Sequence, residues 1–301
     1  LNPGKHGVFD FRTLERANYH LRFVTGNDRK GDAIWKVLGE HGLRSGVVNV
    51  PLTYPPEPIA GFMVSGMDAP DGETEWSYPA GFSSEIRNAL GNYRIDLNAP
   101  ATDLDDYVAQ VESLLDGRIR LFRYLMEQKK SLDFLFFVFV ETDRFQHVLW
   151  KYADPDSIDY HDSRAASYRG ILQGCYQRID ALLGEYVWER SPETAWIIVS
   201  DHGFGPLKKD VSLNRWLEEI GLLTFKDNHF VSRISFLENI DWHRTKAYSY
   251  GFFGNININL RGREACGIVG LAETEAIRQH IRKEAVRLRD PETEEKVLTG
   301  F

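Results

Sequence analysis

Apolar positions along the chain alternate between short unbroken runs and long stretches that repeat every three or four residues. That alternation predicts an α/β sheet with helices on its faces. Gly46-Val47-Val48-Asn49-Val50 is a β-branched run stopped by Pro51, and the helical stretch before it, Asp32 to Glu40, has Gly42 placed to end it. Phe134–Val140 shows no polar alternation, the pattern of a strand covered on both faces, and Ala195-Trp196-Ile197-Ile198-Val199 is a second such run. Between them, from Asp162 to Trp188, the residues Ile171, Leu172, Cys175, Tyr176, Ile179, Leu182, Leu183 and Tyr186 recur at helical steps. They predict one buried helix face with Cys175 in it as a core residue. An earlier helix opens at Thr102 as N-cap, with Asp103, Asp105 and Asp106 complementing its dipole and Leu104, Val108, Val111, Leu115, Ile119, Phe122 and Met126 forming its stripe. This helix start accounts for Asp103-Leu104-Asp105 better than a metal motif does.

Residues 53–100, dense in Pro and Gly, read as a cover loop over a sheet edge, with Trp76 and Tyr78 as ordinary hydrophobic contacts before ring-stacking ones. Residues 206–245 read as an inserted cap segment holding a short helix at Asn214–Ile220. Core structure resumes with Tyr248 and the strict alternation Asn255–Leu260, and a last helix spans Glu273–Leu288. One catalytic α/β domain over residues 1–301 is expected, incomplete at both ends. The chain opens at Leu1 directly into Asn2-Pro3-Gly4, and it stops at Phe301 as Lys296-Val297-Leu298 begins a new segment.

Charge narrows the partners. With 36 Lys+Arg against 44 Asp+Glu the net charge is −8, and no basic block is present. A nucleic-acid duplex is therefore a poor partner. Any phosphate bound here needs local neutralisation, for which a metal ion is the direct means. The longest apolar run, Phe134–Val140, is too short to span a bilayer. Cys175 and Cys266 are far apart and outside any metal or redox motif, which together with the lack of an Asn-x-Ser/Thr sequon points to a reducing, cytoplasmic location.

Two Asp/His pairs carry the candidate chemistry. Directly after Phe134–Val140 comes Glu141-Thr142-Asp143-Arg144-Phe145-Gln146-His147, in which Asp143 and His147 share a helix face at four-residue spacing. Directly after Ala195–Val199 comes Ser200-Asp201-His202-Gly203-Phe204-Gly205, where Gly203 and Gly205 supply the turn that Asp201 and His202 need to converge. Both lie beyond the carboxyl end of a predicted strand, where open sheets bind ligands. Each pair alone could be a capped loop with a hydrogen-bonded histidine. Together they are the donor set of a site for two borderline metals such as Zn²⁺, which clamp the attacking and leaving oxygens of a phosphoryl displacement. His6, His20, His41, His161, His229, His243 and His280 have no spaced partner and read as ordinary histidines. Gly26–Gly31 lacks the Lys-Ser/Thr of a phosphate-binding loop.

These two motifs, with Asn2-Pro3-Gly4-Lys5-His6-Gly7, Asn49–Pro56 and Asn259–Glu264, resemble the alkaline phosphatase superfamily. Within it they are similar to the type I phosphodiesterase/nucleotide pyrophosphatase branch, and there to prokaryotic phosphohydrolase/phosphomutase-like members. The resemblance implies a three-layer α/β/α sandwich with a mostly parallel central sheet. It also implies two divalent metal ions, with zinc favoured, one held by Asp143 and His147 and the other by Asp201 and His202. The family's remaining ligands, a first-strand Asp and a C-terminal His, have no match here, and its Thr or Ser nucleophile falls upstream of Leu1. The implied activity is metal-dependent phosphoryl-transfer hydrolysis of a phosphorylated small molecule through a phospho-enzyme, with the isolated chain inactive. A phosphomutase of the same superfamily, a non-catalytic metal-binding scaffold and a sulfatase are the alternatives. No Asn occurs around Phe9-Asp10-Phe11, so the resemblance does not carry nucleotide specificity.

Overall fold

The computed structural model describes residues 2–67, 69–70, 75–97, 100–129, 131–187, 194–226 and 237–298. In chain order the strands are β1 (Arg12–Glu15), β2 (His20–Phe23), β3 (Ser45–Val50), β4 (Gly61–Ser65), β5 (Ser77–Tyr78), β6 (Phe134–Phe137), β7 (Ala247–Ser249) and β8 (Ile256–Ile258). The α-helices are α1 (Pro3–His6), α2 (Ile34–Glu40), α3 (Phe82–Leu90), α4 (Leu104–Gln128), α5 (Glu141–Ala153), α6 (Ala165–Val187), α7 (Leu213–Glu219) and α8 (Thr274–Ala285). The α/β class expected from the periodicity holds. The chain divides into two compact units, Leu1–Gly7 with Thr25–Lys209, and Val8–Val24 with Asp210–Phe301. The division follows the cores, because the buried residues of 8–24 and 210–298 form a cluster of their own.

In the first unit the sheet runs β5-β4-β3-β6. β3 is parallel to β4 and to β6, and β5 is antiparallel to β4, so the sheet is mixed. Alternation along β3 and β4 sends Val48 and Val64 towards Phe82 and Ile86 of α3 and Leu121 and Leu125 of α4. The same alternation sends Val47 and Met63 towards Trp35 of α2 on the other face. The 53–100 segment is thus part of the core, contributing β4, β5 and α3, with Trp76 buried. Its Asn49–Pro56 motif ties off the carboxyl ends of β3 and β4. Thr53 Oγ1 donates to Val50 O at 2.6 Å and accepts from Gly66 N at 3.0 Å, where a Cβ on residue 66 would collide with Val50 O.

Three expectations shift. The N-cap of α4 is Asp103, whose carboxylate accepts from Asp106 N at 2.9 Å, while Thr102 turns its own N–H and hydroxyl to Asp106 Oδ2. β6 ends at Phe137 and is half-buried, since among the described residues it pairs only with β3. Ala195–Val199 forms no strand: among the described residues it has no sheet partner, and Ile197, Ile198 and Val199 are exposed. A run of β-branched residues becomes a buried strand only where a neighbour pairs with it, and no described residue does. In α6, Cys175 is buried as expected but Tyr176 is exposed; Trp188 lies outside the described residues.

The second unit pairs β1 with β2 and β7 with β8, and packs Trp216 and Leu217 of α7 and Ile277 of α8 against Tyr248. The Asn259–Glu264 motif is structural. Asn259 Nδ2 donates to the carbonyls of Trp242, Thr245 and Cys266, and its Oδ1 accepts from Tyr19 OH at 2.9 Å. Glu264 accepts from Leu260 N at 2.9 Å and from Arg263 Nε at 2.8 Å. Of residues 206–245, read from sequence as an insertion, the described Trp216, Leu217, Leu222, Leu223, Leu237 and Ile240 belong to this unit's core.

Candidate metal centre

Every candidate donor lies in the first unit. The β6 strand ends at Phe137, and α5 begins at Glu141 with Glu141 and Asp143 in its first turn, complementing the helix dipole. One turn of helix then sets Asp143 beneath His147, with Asp143 Oδ1 3.3 Å from His147 Nε2. The Asp201–His202 loop comes to the same carboxylate: His202 Nε2 is 3.7 Å from Asp143 Oδ1 and 3.6 Å from Asp201 Oδ2. All four predicted residues are therefore brought together, with Asp143 between the two histidines. Their side chains face solvent, from 35% exposed at Asp143 to 89% at Asp201.

His202 Nδ1 lies 3.1 Å from Gly203 O. A carbonyl only accepts, so Nδ1 carries the hydrogen, and a neutral ring then keeps its lone pair on Nε2, the nitrogen facing both carboxylates. The Phe204 ring braces the arrangement, with its centroid 5.0 Å from that of His147, 5.2 Å from His202 and 6.3 Å from Trp150. It ties the Asp-His-Gly loop to α5.

Donor chemistry and spacing fit a borderline divalent ion. Two ligands of a tetrahedral Zn²⁺, each about 2.0–2.1 Å from it, stand about 3.3 Å apart, close to the separations found here. The donors meet as pairs only: among the described residues no group of three or more His, Cys, Asp or Glu side chains is placed to hold one ion. The two hydroxyls beside the donors are engaged with backbone, Thr142 Oγ1 donating to Phe139 O at 3.1 Å and Ser200 Oγ to His202 O.

Behind α5 stands a network that pattern reading missed. Arg118 of α4 and Glu141 are both fully buried, with Arg118 Nε 3.1 Å from Glu141 Oε1. Burial pushes the Glu141 carboxyl above its ordinary range, against the pull of Arg118. Arg118 also donates to Tyr93 OH and to the carbonyls of Arg94 and Ile95. A second pair joins Arg144 to Asp96, with Arg144 Nη2 donating to both carboxylate oxygens at 2.8 and 2.6 Å. Arg118 had a signal: it is a charge inside the apolar stripe of α4, flanked by Leu114, Leu115, Ile119 and Phe122. The remaining histidines behave as ordinary ones. His41 meets Val37 O, His280 meets Ile220 O and His161 meets the Tyr160 ring edge to face, while His229 lies outside the described residues.

The family model of type I phosphodiesterase/nucleotide pyrophosphatase matches residues 1–299, and the chain belongs to that family, part of the alkaline phosphatase superfamily. Membership carries phosphodiesterase/pyrophosphatase-type phosphoryl-transfer hydrolysis of phosphorylated small molecules, generally metal-dependent. No curated protein and no solved structure matches the chain. No helix among the described residues is long and apolar enough to cross a membrane.

Proposed function

We propose that this member of the type I phosphodiesterase/nucleotide pyrophosphatase family is a metal-dependent phosphoryl-transfer hydrolase whose divalent ions, zinc favoured, are held by Asp143, His147, Asp201 and His202. The observation that carries the reading is the shared carboxylate: Asp143 Oδ1 stands 3.3 Å from His147 and 3.7 Å from His202. When bound, a pair of divalent ions neutralises phosphate charge and lowers the pKa of an attacking oxygen. The chain's own residues do the rest. Asp143 bridges the two arms, the Nδ1–H of His202 fixes its tautomer through Gly203, and Phe204 holds both imidazoles in place.

The phosphoryl acceptor is a Thr or Ser hydroxyl other than Thr142 and Ser200, which are turned to carbonyls. With the donors present only as pairs among the described residues, the chain alone is expected to bind zinc weakly and to turn over no phosphodiester. Zinc calorimetry and an aryl phosphodiester assay test both parts. Zinc binding that Asp143→Ala abolishes supports the site, equal binding by the two proteins contradicts it, and robust turnover by the isolated chain overturns the acceptor assignment.

A further inference from the structure

Side chains on a helix turn together, about 100° per residue. Setting Asp143 and His147 correctly therefore amounts to fixing how α5 is rotated and how deep its first turn sits. Counted that way, Glu141 stands about 160° from Asp143, and Arg144 falls between Glu141 and His147, about 60° from each. Both Glu141 and Arg144 end in ion pairs, Glu141 with Arg118 and Arg144 with Asp96.

Both pairs converge on one short segment, 93–96. Arg118 grips its Tyr93 hydroxyl and the carbonyls of Arg94 and Ile95, and Asp96 belongs to it. That segment is in turn anchored to the end of β3, where Tyr93 OH donates to Asn49 Oδ1 at 3.1 Å. From α4, Tyr107 OH donates to the Arg144 carbonyl at 3.1 Å. The first turn of α5 is thus fixed from three directions. A fully buried ion pair is weak means of stabilising a fold, since apolar residues of similar volume often do as well. Glu141 is held by charge, and neither of its oxygens has an aligned donor among the described residues. What the pairs supply is geometry.

We infer that Arg118, Glu141, Asp96 and Arg144 are positioning residues that set the rotation of α5 and so aim Asp143 and His147 at the Asp201–His202 loop. The inference rests on the metal-holding role proposed above for Asp143 and His147, and its test has a metal-free arm. Two variants are compared with the parent chain: the double substitution Arg118→Met with Glu141→Gln, which removes both buried charges, and Asp96→Asn, which keeps the shape of a half-buried side chain. The first readout is the ring-to-ring nuclear Overhauser effect between His147 and Phe204 without metal. The second is zinc affinity by calorimetry, with circular dichroism recording the fold. Folded variants are expected to lose most of that cross-relaxation and to bind zinc about 10-fold or more weakly, the usual effect of losing a residue that orients a ligand. Folded variants with parental values on both readouts overturn the inference. If the double variant does not fold, Asp96→Asn decides on the same measurements. A parent that binds zinc no better than Asp143→Ala contradicts the proposed function, and the His147–Phe204 measurement still decides the positioning claim.

Discussion

Asp143 and His147 stand on a helix whose inner face, Phe145, Leu149 and Tyr152, is packed into a core shared with α4 and α6. Asp201 and His202 stand on chain without helix or strand, preceded by exposed Ile197, Ile198 and Val199 and joined to α5 through the Phe204 ring. The two arms bring the same pair of donor types to one place from scaffolds of unequal rigidity. Preorganisation therefore resides in α5, and the loop is aimed by what it touches there.

The largest effect that sharpens this contrast is on Asp143. Asp143→Ala, which removes the carboxylate facing both histidines, is expected to weaken the already weak zinc binding by at least about 10-fold by calorimetry. Asp201→Ala, on the exposed loop, should empty at least one site with a smaller total loss, and His161→Ala should leave metal content unchanged. A larger loss from Asp201→Ala than from Asp143→Ala would reverse the ranking of the arms.

Next comes stability. Arg118→Ala leaves the fully buried Glu141 carboxylate unpaired and is expected to cost about 3–5 kcal/mol in urea unfolding. Phe204→Ala removes ring contacts worth about 0.5–1.5 kcal/mol and should weaken zinc binding by up to about 10-fold, with little change in unfolding midpoint. The smallest effect lies away from the site. Glu85 accepts from Tyr124 and pairs with Lys129, whose hydrogen bond is the main cause of a carboxyl held below its ordinary 4.5. A depressed carboxyl contributes stability that is full above the unfolded pKa and is lost as pH falls through the folded one. The Glu85→Gln variant should therefore flatten the acid limb of the stability curve below about pH 4.5, by no more than about 0.5 kcal/mol for so exposed a pair.

Local pattern singled out the four residues that the structure brings together: a four-residue spacing marked Asp143 with His147, and a glycine turn marked Asp201 with His202. It also located β3, the body of α4 and α6, and β8 within the Asn255–Leu260 alternation. What it could not show was pairing across distance. The five apolar residues from Ala195 look the same whether or not a neighbour hydrogen-bonds them, so their unpaired state was invisible. Asn259 is explained by Tyr19, 240 positions away, and Glu141 by Arg118 on another helix. The Thr102 cap was misplaced by one residue because Thr102 and Asp103 are both good caps and only the orientation of Asp106 decides between them.

The most direct test of the account is a double-mutant cycle on zinc affinity with Asp143→Ala and His202→Ala, one residue from each arm. Donors that meet at shared ions must couple, and the account predicts an interaction energy of about 1 kcal/mol or more. Losses that add to within about 0.3–0.5 kcal/mol would show two independent loops and contradict it.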